Sequence, residues 1–103
     1  MIAMSALVRP TEGLRPVRQL EQSLRLDHES VPVTAHRFLV RFPDGPVLVT
    51  DELASLRVDV VVSDERAARH FEESFRSEIA VRLDDAALEV SWSRSTTVPQ
   101  PLR

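Results

Sequence analysis

The residues best suited to chemistry lie within one predicted helix, SDERAARHFEESFRSE, at positions 63–78. His70 stands three residues before Glu73 and four before Ser74, and on a helix such spacings bring side chains to the same side. A histidine and a carboxylate so placed could share a metal ion, and a serine one turn from a histidine could act as a nucleophile. The segment therefore raises the question of whether these three residues form a site.

The apolar residues of the segment indicate which side of this helix is buried. At about 100° per residue they fall within a sector of roughly 120°, which predicts a long amphipathic helix over residues 64–79. His70 and Glu73 then face solvent, with Ser74 at the border of the buried stripe. The sequence offers no third metal ligand, and a serine in mid-helix has no free backbone donors for an oxyanion hole. A solvated helix face is therefore favoured over a site, unless another subunit completes a cleft. The residues of the buried stripe are Ala67, Ala68, Phe71, Phe75 and Ile79.

The composition removes most catalytic chemistry. The 103 residues include 16 acidic and 13 basic ones, giving a net charge of -3, and every basic residue is arginine. Cysteine, lysine and tyrosine are absent, which excludes thiolate nucleophiles, thiolate zinc sites, disulfides and Schiff bases. Serine, threonine, carboxylates, arginine and three histidines remain. With 43% hydrophobic residues the chain is predicted to fold as one domain over residues 1–103, with loose ends at about 1–10 and 95–103.

Several functional classes lack their motifs. Two glycines cannot form a phosphate-binding loop or a dinucleotide-binding turn, and no serine lies in a G-x-S-x-G elbow. The negative charge and the lack of lysine argue against nucleic-acid binding, and we predict neither a cofactor nor a metal. The apolar start MIAMSALV is too short to span a membrane and has no preceding positive residues. A cytoplasmic protein without membrane contact is expected.

The spacing of apolar residues outlines the other elements. Pro16 suits the first turn of a shorter helix over about 16–26, in which Val17, Leu20 and Leu24 share one face. The competing interpretation is a strand through residues 23–28. Alternation with a period of two predicts strands at 33–42, 47–50, 56–63 and 87–94, and the first eight residues form either an extra strand or a frayed end.

The segment PDGP at residues 43–46 predicts a hairpin. A tight two-residue loop is disfavoured because Pro43 and Pro46 lack an N–H, so we expect a bulged turn with Gly45 in the left-handed region. The predicted fold class is α+β, with a four- or five-stranded antiparallel or mixed sheet packed by the long helix and the shorter amino-terminal helix. Small ferredoxin-like domains share this general plan, which carries no functional content.

The bulged register gives the sheet a second, partly apolar face. A rim of arginines around an apolar centre is common at protein interfaces, so we predict a non-catalytic interaction or assembly module that forms a homodimer or binds another protein. The predicted interface residues are Arg37, Leu39, Arg41, Val47, Val49, Arg57 and Val61.

The alternative is a small enzyme or a small-molecule-binding protein. Its pocket would lie between the sheet and the long helix, where His36, predicted on the same face as Phe38, would be the acid/base group. Arg37 or Arg41 would hold an anion, although both point to the opposite side of the strand.

Overall fold

A computed structural model describes residues 1–82, 87–95 and 98–102 of the chain. Within these residues the fold is α+β, as predicted, with a sheet of six strands instead of four or five. All neighbouring strands are antiparallel, in the order β2-β3-β4-β5-β1-β6. The elements are β1 (Ile2–Pro10), α1 (Arg15–Asp27), β2 (Ser30–Thr34), β3 (Arg37–Phe42), β4 (Gly45–Asp51), β5 (Leu56–Val62), α2 (Glu65–Arg82) and β6 (Leu88–Ser95).

Two strands account for the difference in number. The segment predicted as a loose end at 1–10 is instead the interior strand β1, which pairs with β5 on one side and β6 on the other. The strand predicted over 33–42 is divided by a turn at Ala35 and His36, so that β2 and β3 form a hairpin. Pro32 is tolerated in β2 because β2 is an edge strand, whose outer N–H groups need no partner strand.

The β3–β4 hairpin has a different register from the predicted one. Phe42 pairs with Gly45, which leaves a two-residue loop of Pro43 and Asp44. This tight loop forms because the closing pair is Phe42 with Gly45, and both residues retain their N–H groups. Gly45 has a φ of 124°, which favours glycine.

The register corrects the placement of two predicted interface residues. Val49 pairs with Phe38 and Val47 pairs with Val40, so these valines lie on the same face as Phe38 and are fully buried. A shift of one residue in pairing moves every side chain of a strand to the other face, and the predicted bulge produced such a shift. Val47 and Val49 therefore belong to the core and cannot contribute to an interface.

Both helices pack on the same face of the sheet, which we call the helix face. Val17, Leu20 and Leu24 of α1 are buried, as predicted from their spacing. The Arg25 guanidinium lies 3.9 Å from the centre of the Phe38 ring, a cation–π contact that fixes the end of α1 over β3. Neither helix in the described part of the chain is long and apolar enough to cross a membrane.

The helix α2 packs through a chain of aromatic rings. The centre of the Phe71 ring lies 5.6 Å from that of Phe42 and 5.9 Å from that of Trp92, both in edge-on contacts. The Phe75 ring also contacts Trp92 edge-on, with the ring centres 5.9 Å apart. These rings join strands near both edges of the sheet to one helix. The Asp64 carboxylate accepts a hydrogen bond of 2.8 Å from the N–H of Ala67, which caps the start of α2.

The opposite face of the sheet, which we call the second face, has no helix among the described residues. Leu7, Leu39, Leu48, Asp59 and Val61 point to it, as their strand pairings require. Leu48 is nevertheless fully buried. The Arg37 guanidinium donates a hydrogen bond of 2.5 Å to the carbonyl of Gln100, so the described carboxy-terminal residues 98–102 lie against this face. Positions 96, 97 and 103 of the predicted loose end are outside the described residues.

The aromatic chain predicts a large loss of stability when its central ring is removed. Phe71→Ala should lower the free energy of unfolding by about 3–5 kcal/mol, because a fully buried ring leaves a cavity between Phe42, Phe75 and Trp92. Val81→Ala on the same helix is the control, since Val81 is 76% exposed and its loss should change stability by less than about 0.5 kcal/mol. Urea denaturation followed by tryptophan fluorescence measures both, and equal losses would contradict this packing.

Candidate interaction surface

A groove of about 500 Å³ opens on the second face beside the β3–β4 hairpin. We call it the hairpin groove. Its walls are apolar side chains and prolines, with one charged residue of each sign at the rim. Val31 of the edge strand is 59% exposed, and Leu39, the residue opposite it on β3, is half-buried. The groove is lined by Glu29, Val31, Leu39, Val40, Arg41, Phe42, Pro43, Gly45 and Pro46.

The rim charges of the hairpin groove form an exposed ion pair. The Arg41 guanidinium lies 3.2 Å from the Glu29 carboxylate, and their side chains are 79% and 77% exposed. The N–H of Arg41 also donates to the Glu29 carbonyl at 2.9 Å, which holds the start of β2 against β3. Because both side chains remain in water, either one can exchange its partner at little cost.

The other predicted interface residues of the second face have different surroundings. Val61 is half-buried and Arg57 is exposed, with its guanidinium 3.6 Å from the buried Asp59 carboxylate. Arg37 is half-buried because it is bound to the carboxy-terminal segment. The structure therefore places Leu39 and Arg41 together in the hairpin groove and leaves Arg37, Arg57 and Val61 around the rest of the face.

His36 does not occupy the position that the alternative function requires. It lies in the β2–β3 turn and is exposed, because β3 begins one residue later, so it does not share the buried face of Phe38. Its N–H donates to the Thr34 hydroxyl at 3.3 Å, and its carbonyl accepts from the N–H of Asp51 at 2.7 Å. His36 lines neither the hairpin groove nor the pocket between α2 and β6. Of these three residues only Arg41 lines a pocket that the described residues form, and that pocket is the hairpin groove.

Asp51, beside His36, connects α1 to the sheet. Burial on its own would raise the pKa of the Asp51 carboxyl, but the hydrogen bond from Arg18, the N–H of Leu53 and the charge of Arg18 outweigh it and lower that pKa. The Arg18 guanidinium donates to Asp51 at 2.8 Å, and the Leu53 N–H donates at 2.9 Å. The charged carboxylate is thus the form that the folded chain stabilises.

Two histidine–carboxylate pairs at the hairpin end of the molecule were not predicted from the sequence. His28 is hydrogen-bonded to Glu78 and stacks on Phe42, with the ring centres 4.7 Å apart. His70 Nδ1 lies 2.7 Å from Asp44 Oδ1. The partners are 50 and 26 residues apart in sequence, so no local spacing could have indicated them.

These pairs join α2 to the rest of the fold and form no recognisable catalytic centre. His70 has an exposed ring and a buried carboxylate partner, which resembles half of a catalytic triad. Ser74 lies one turn from His70 and is half-buried, and Glu73 is exposed. Neither side chain is part of the hydrogen-bonded pair of His70 and Asp44. Among the described residues no three histidine, aspartate or glutamate side chains are positioned to hold a metal ion.

The lowered pKa of Asp51 predicts a dependence of stability on pH. The stabilisation should be complete above the ordinary aspartate pKa of the unfolded chain and should disappear as the pH falls through the lower folded pKa. Asp51→Asn should therefore lose stability relative to the native chain at neutral pH, and the difference should shrink with acidification. Urea denaturation at a series of pH values tests this, with Glu52→Gln as the exposed neighbouring control. A difference that is constant with pH would contradict it.

The comparisons with known proteins bear on the fold. No protein-family model matches the sequence, and a search of curated proteins gave no match. The solved NMR structure of PA4090 from Pseudomonas aeruginosa is similar, with a TM-score of 0.56, 18% sequence identity, and coverage of 90% of this chain and 96% of that chain. At this identity the likeness extends to the fold alone. The α+β arrangement of this chain is therefore shared over nearly the full length of PA4090.

Proposed function

We propose that this chain is a non-catalytic interaction module that binds a second copy of itself through the second face, with the hairpin groove at the centre. The observation that carries the proposal is the groove itself. It exposes apolar side chains of Val31 and Leu39 on a side of the sheet that the two helices leave open. Exposed apolar surface rimmed by polar residues is typical of protein-binding sites.

The charges at the rim favour a second copy over an unrelated partner. In a two-fold interface the same surface patch of two copies comes together. Each charged residue of one copy therefore faces the equivalent patch of the other copy. Arg41 and Glu29 are neighbours of opposite sign, and in such a dimer Arg41 of one copy can pair with Glu29 of the other. Exposed pairs of this kind contribute little affinity, but they select the partner and the orientation.

The size of the surface predicts weak association. A stable interface buries about 800 Å² on each partner, and the hairpin groove alone supplies only part of that area. Half-buried Val61 and Leu7 and the edge strand β2 would supply the remainder. We therefore expect a dimer that dissociates in the micromolar range rather than an obligate one.

The test is the effect of a charge at the centre of the hairpin groove. Leu39→Asp should abolish association, because two buried aspartates would face each other without partners, while the half-exposed position lets the monomer fold. Leu53→Asp is the matched control, since Leu53 is 67% exposed in the β4–β5 turn and its φ of 70° suits aspartate. Sedimentation equilibrium measures the dissociation constants of all three chains.

The outcomes separate this proposal from its rivals. A dimer that is lost in Leu39→Asp and retained in Leu53→Asp supports it. A native chain that remains monomeric up to the high micromolar range removes self-association. Capture of a different protein from the native host by the native chain, and not by Leu39→Asp, would then assign the surface to that partner.

A further inference from the structure

The strand β6 forms an open edge of the sheet. It pairs with β1 on one side over eight residues in an unbroken register, and in the described part of the chain no strand lies on its outer side. Every second residue of an edge strand directs its N–H and C=O groups outward, where only another extended backbone matches their spacing. The opposite edge, β2, is interrupted by Pro32 and by an irregular register.

A pocket of about 360 Å³ adjoins this edge, between β6 and α2 on the helix face. We call it the edge pocket. Its apolar lining is Phe75 and Ile79 from the helix together with Leu88, Val90 and Trp92 from the strand, and Glu72 and Arg76 stand at the helical rim. An ion pair of 2.7 Å between Arg94 and Glu65 spans from β6 to the start of α2. The pair lies beyond Trp92 on the same strand, and the edge pocket itself runs along Leu88, Val90 and Trp92.

We propose that the edge of β6 and the edge pocket together bind an extended peptide segment of another protein. The segment adds a strand beside β6 and inserts one aliphatic or aromatic side chain into the edge pocket. The outward-facing backbone groups of β6, which pair with no other strand among the described residues, specify an extended backbone, and the apolar lining specifies the side chain. Strand addition next to a side-chain pocket is a recurrent mode of peptide recognition.

The structure argues against the two occupants that this chain could supply itself. A second copy could pair its own β6 with this edge, but its Leu88 is buried and its Trp92 packs against Phe71 and Phe75. That pairing would therefore leave the edge pocket of both copies unfilled. The carboxy-terminal segment 98–102 lies at Arg37 on the second face. A foreign peptide with a free apolar side chain meets both requirements of the site.

The charges of the edge pocket predict what the peptide resembles. Glu72 and Arg76 have opposite signs, so the rim favours neither a strongly acidic nor a strongly basic segment. We expect the peptide to alternate apolar and polar residues, because alternate side chains of an added strand point to the helix face. This site lies on the face opposite the hairpin groove and does not depend on the proposed self-association.

The experiment begins with the full chain and a displayed library of random nonapeptides. A selected peptide is synthesised, labelled and titrated against the native chain, with binding followed by fluorescence anisotropy and by backbone amide NMR shifts. The proposal expects shifts along β6 and at Phe75 and Ile79. N-methylation of the peptide at alternate residues should abolish binding in one series and preserve it in the other, because only every second N–H faces β6.

A substitution in the edge pocket provides an independent readout. Val90→Trp fills the pocket and should weaken peptide binding about tenfold or more, the equivalent of one apolar side chain left unburied. Val81→Trp is the control, because Val81 is exposed on α2 and does not line the pocket. Should Val90→Trp fail to fold, the two N-methylated series decide alone. Failure to select any peptide, shifts centred on Leu39, or equal binding of both series would overturn the proposal.

Discussion

The constraint on which this structure depends is that both helices cover the same face of the sheet. The aromatic chain of Phe42, Phe71, Phe75 and Trp92 fixes α2 there, and the cation–π contact of Arg25 with Phe38 fixes α1 beside it. A sheet of six strands has two faces, and the second must therefore be covered by smaller means. The short carboxy-terminal segment bound at Arg37 covers a part of it, and the hairpin groove stays open.

This one-sided packing also explains why the two proposed surfaces are independent. The hairpin groove lies near the β2 edge on the second face, where the described part of the chain has no helix. The edge pocket lies where α2 extends over the outermost strand β6 on the helix face. The histidine–carboxylate pairs of His28 with Glu78 and His70 with Asp44 hold α2 to the hairpin end between these two regions. They stabilise the arrangement that exposes both surfaces.

The features predicted from the sequence are those that depend on local spacing. The buried faces of both helices follow from a period of 3.6 residues. The sequence leaves β1 ambiguous because the residues with which it pairs, Val62 and Ser95 among them, are distant in sequence. Without those partners, an apolar segment of nine residues reads equally well as a frayed end.

The part of the hairpin groove that depends on local spacing could likewise be predicted from the sequence. Leu39 and Arg41 were placed on the second face by alternation within a single strand, and the structure agrees. The prediction for Val47 and Val49 is wrong because the face on which they lie depends on the hairpin register. A difference of one residue in the turn shifts that register and moves both side chains to the other face. The prediction for His36 is wrong because β3 begins at Arg37. His36 therefore lies outside the strand, and the alternation of buried and exposed side chains does not extend to it.

A dilution series of backbone amide NMR spectra from the native chain tests directly whether the chain binds itself through the hairpin groove. We expect amide shifts that change with concentration between the micromolar and millimolar ranges and that are largest at Glu29, Val31, Leu39 and Arg41. Spectra that are identical at all concentrations, or changes confined to the exposed faces of the helices, would contradict it.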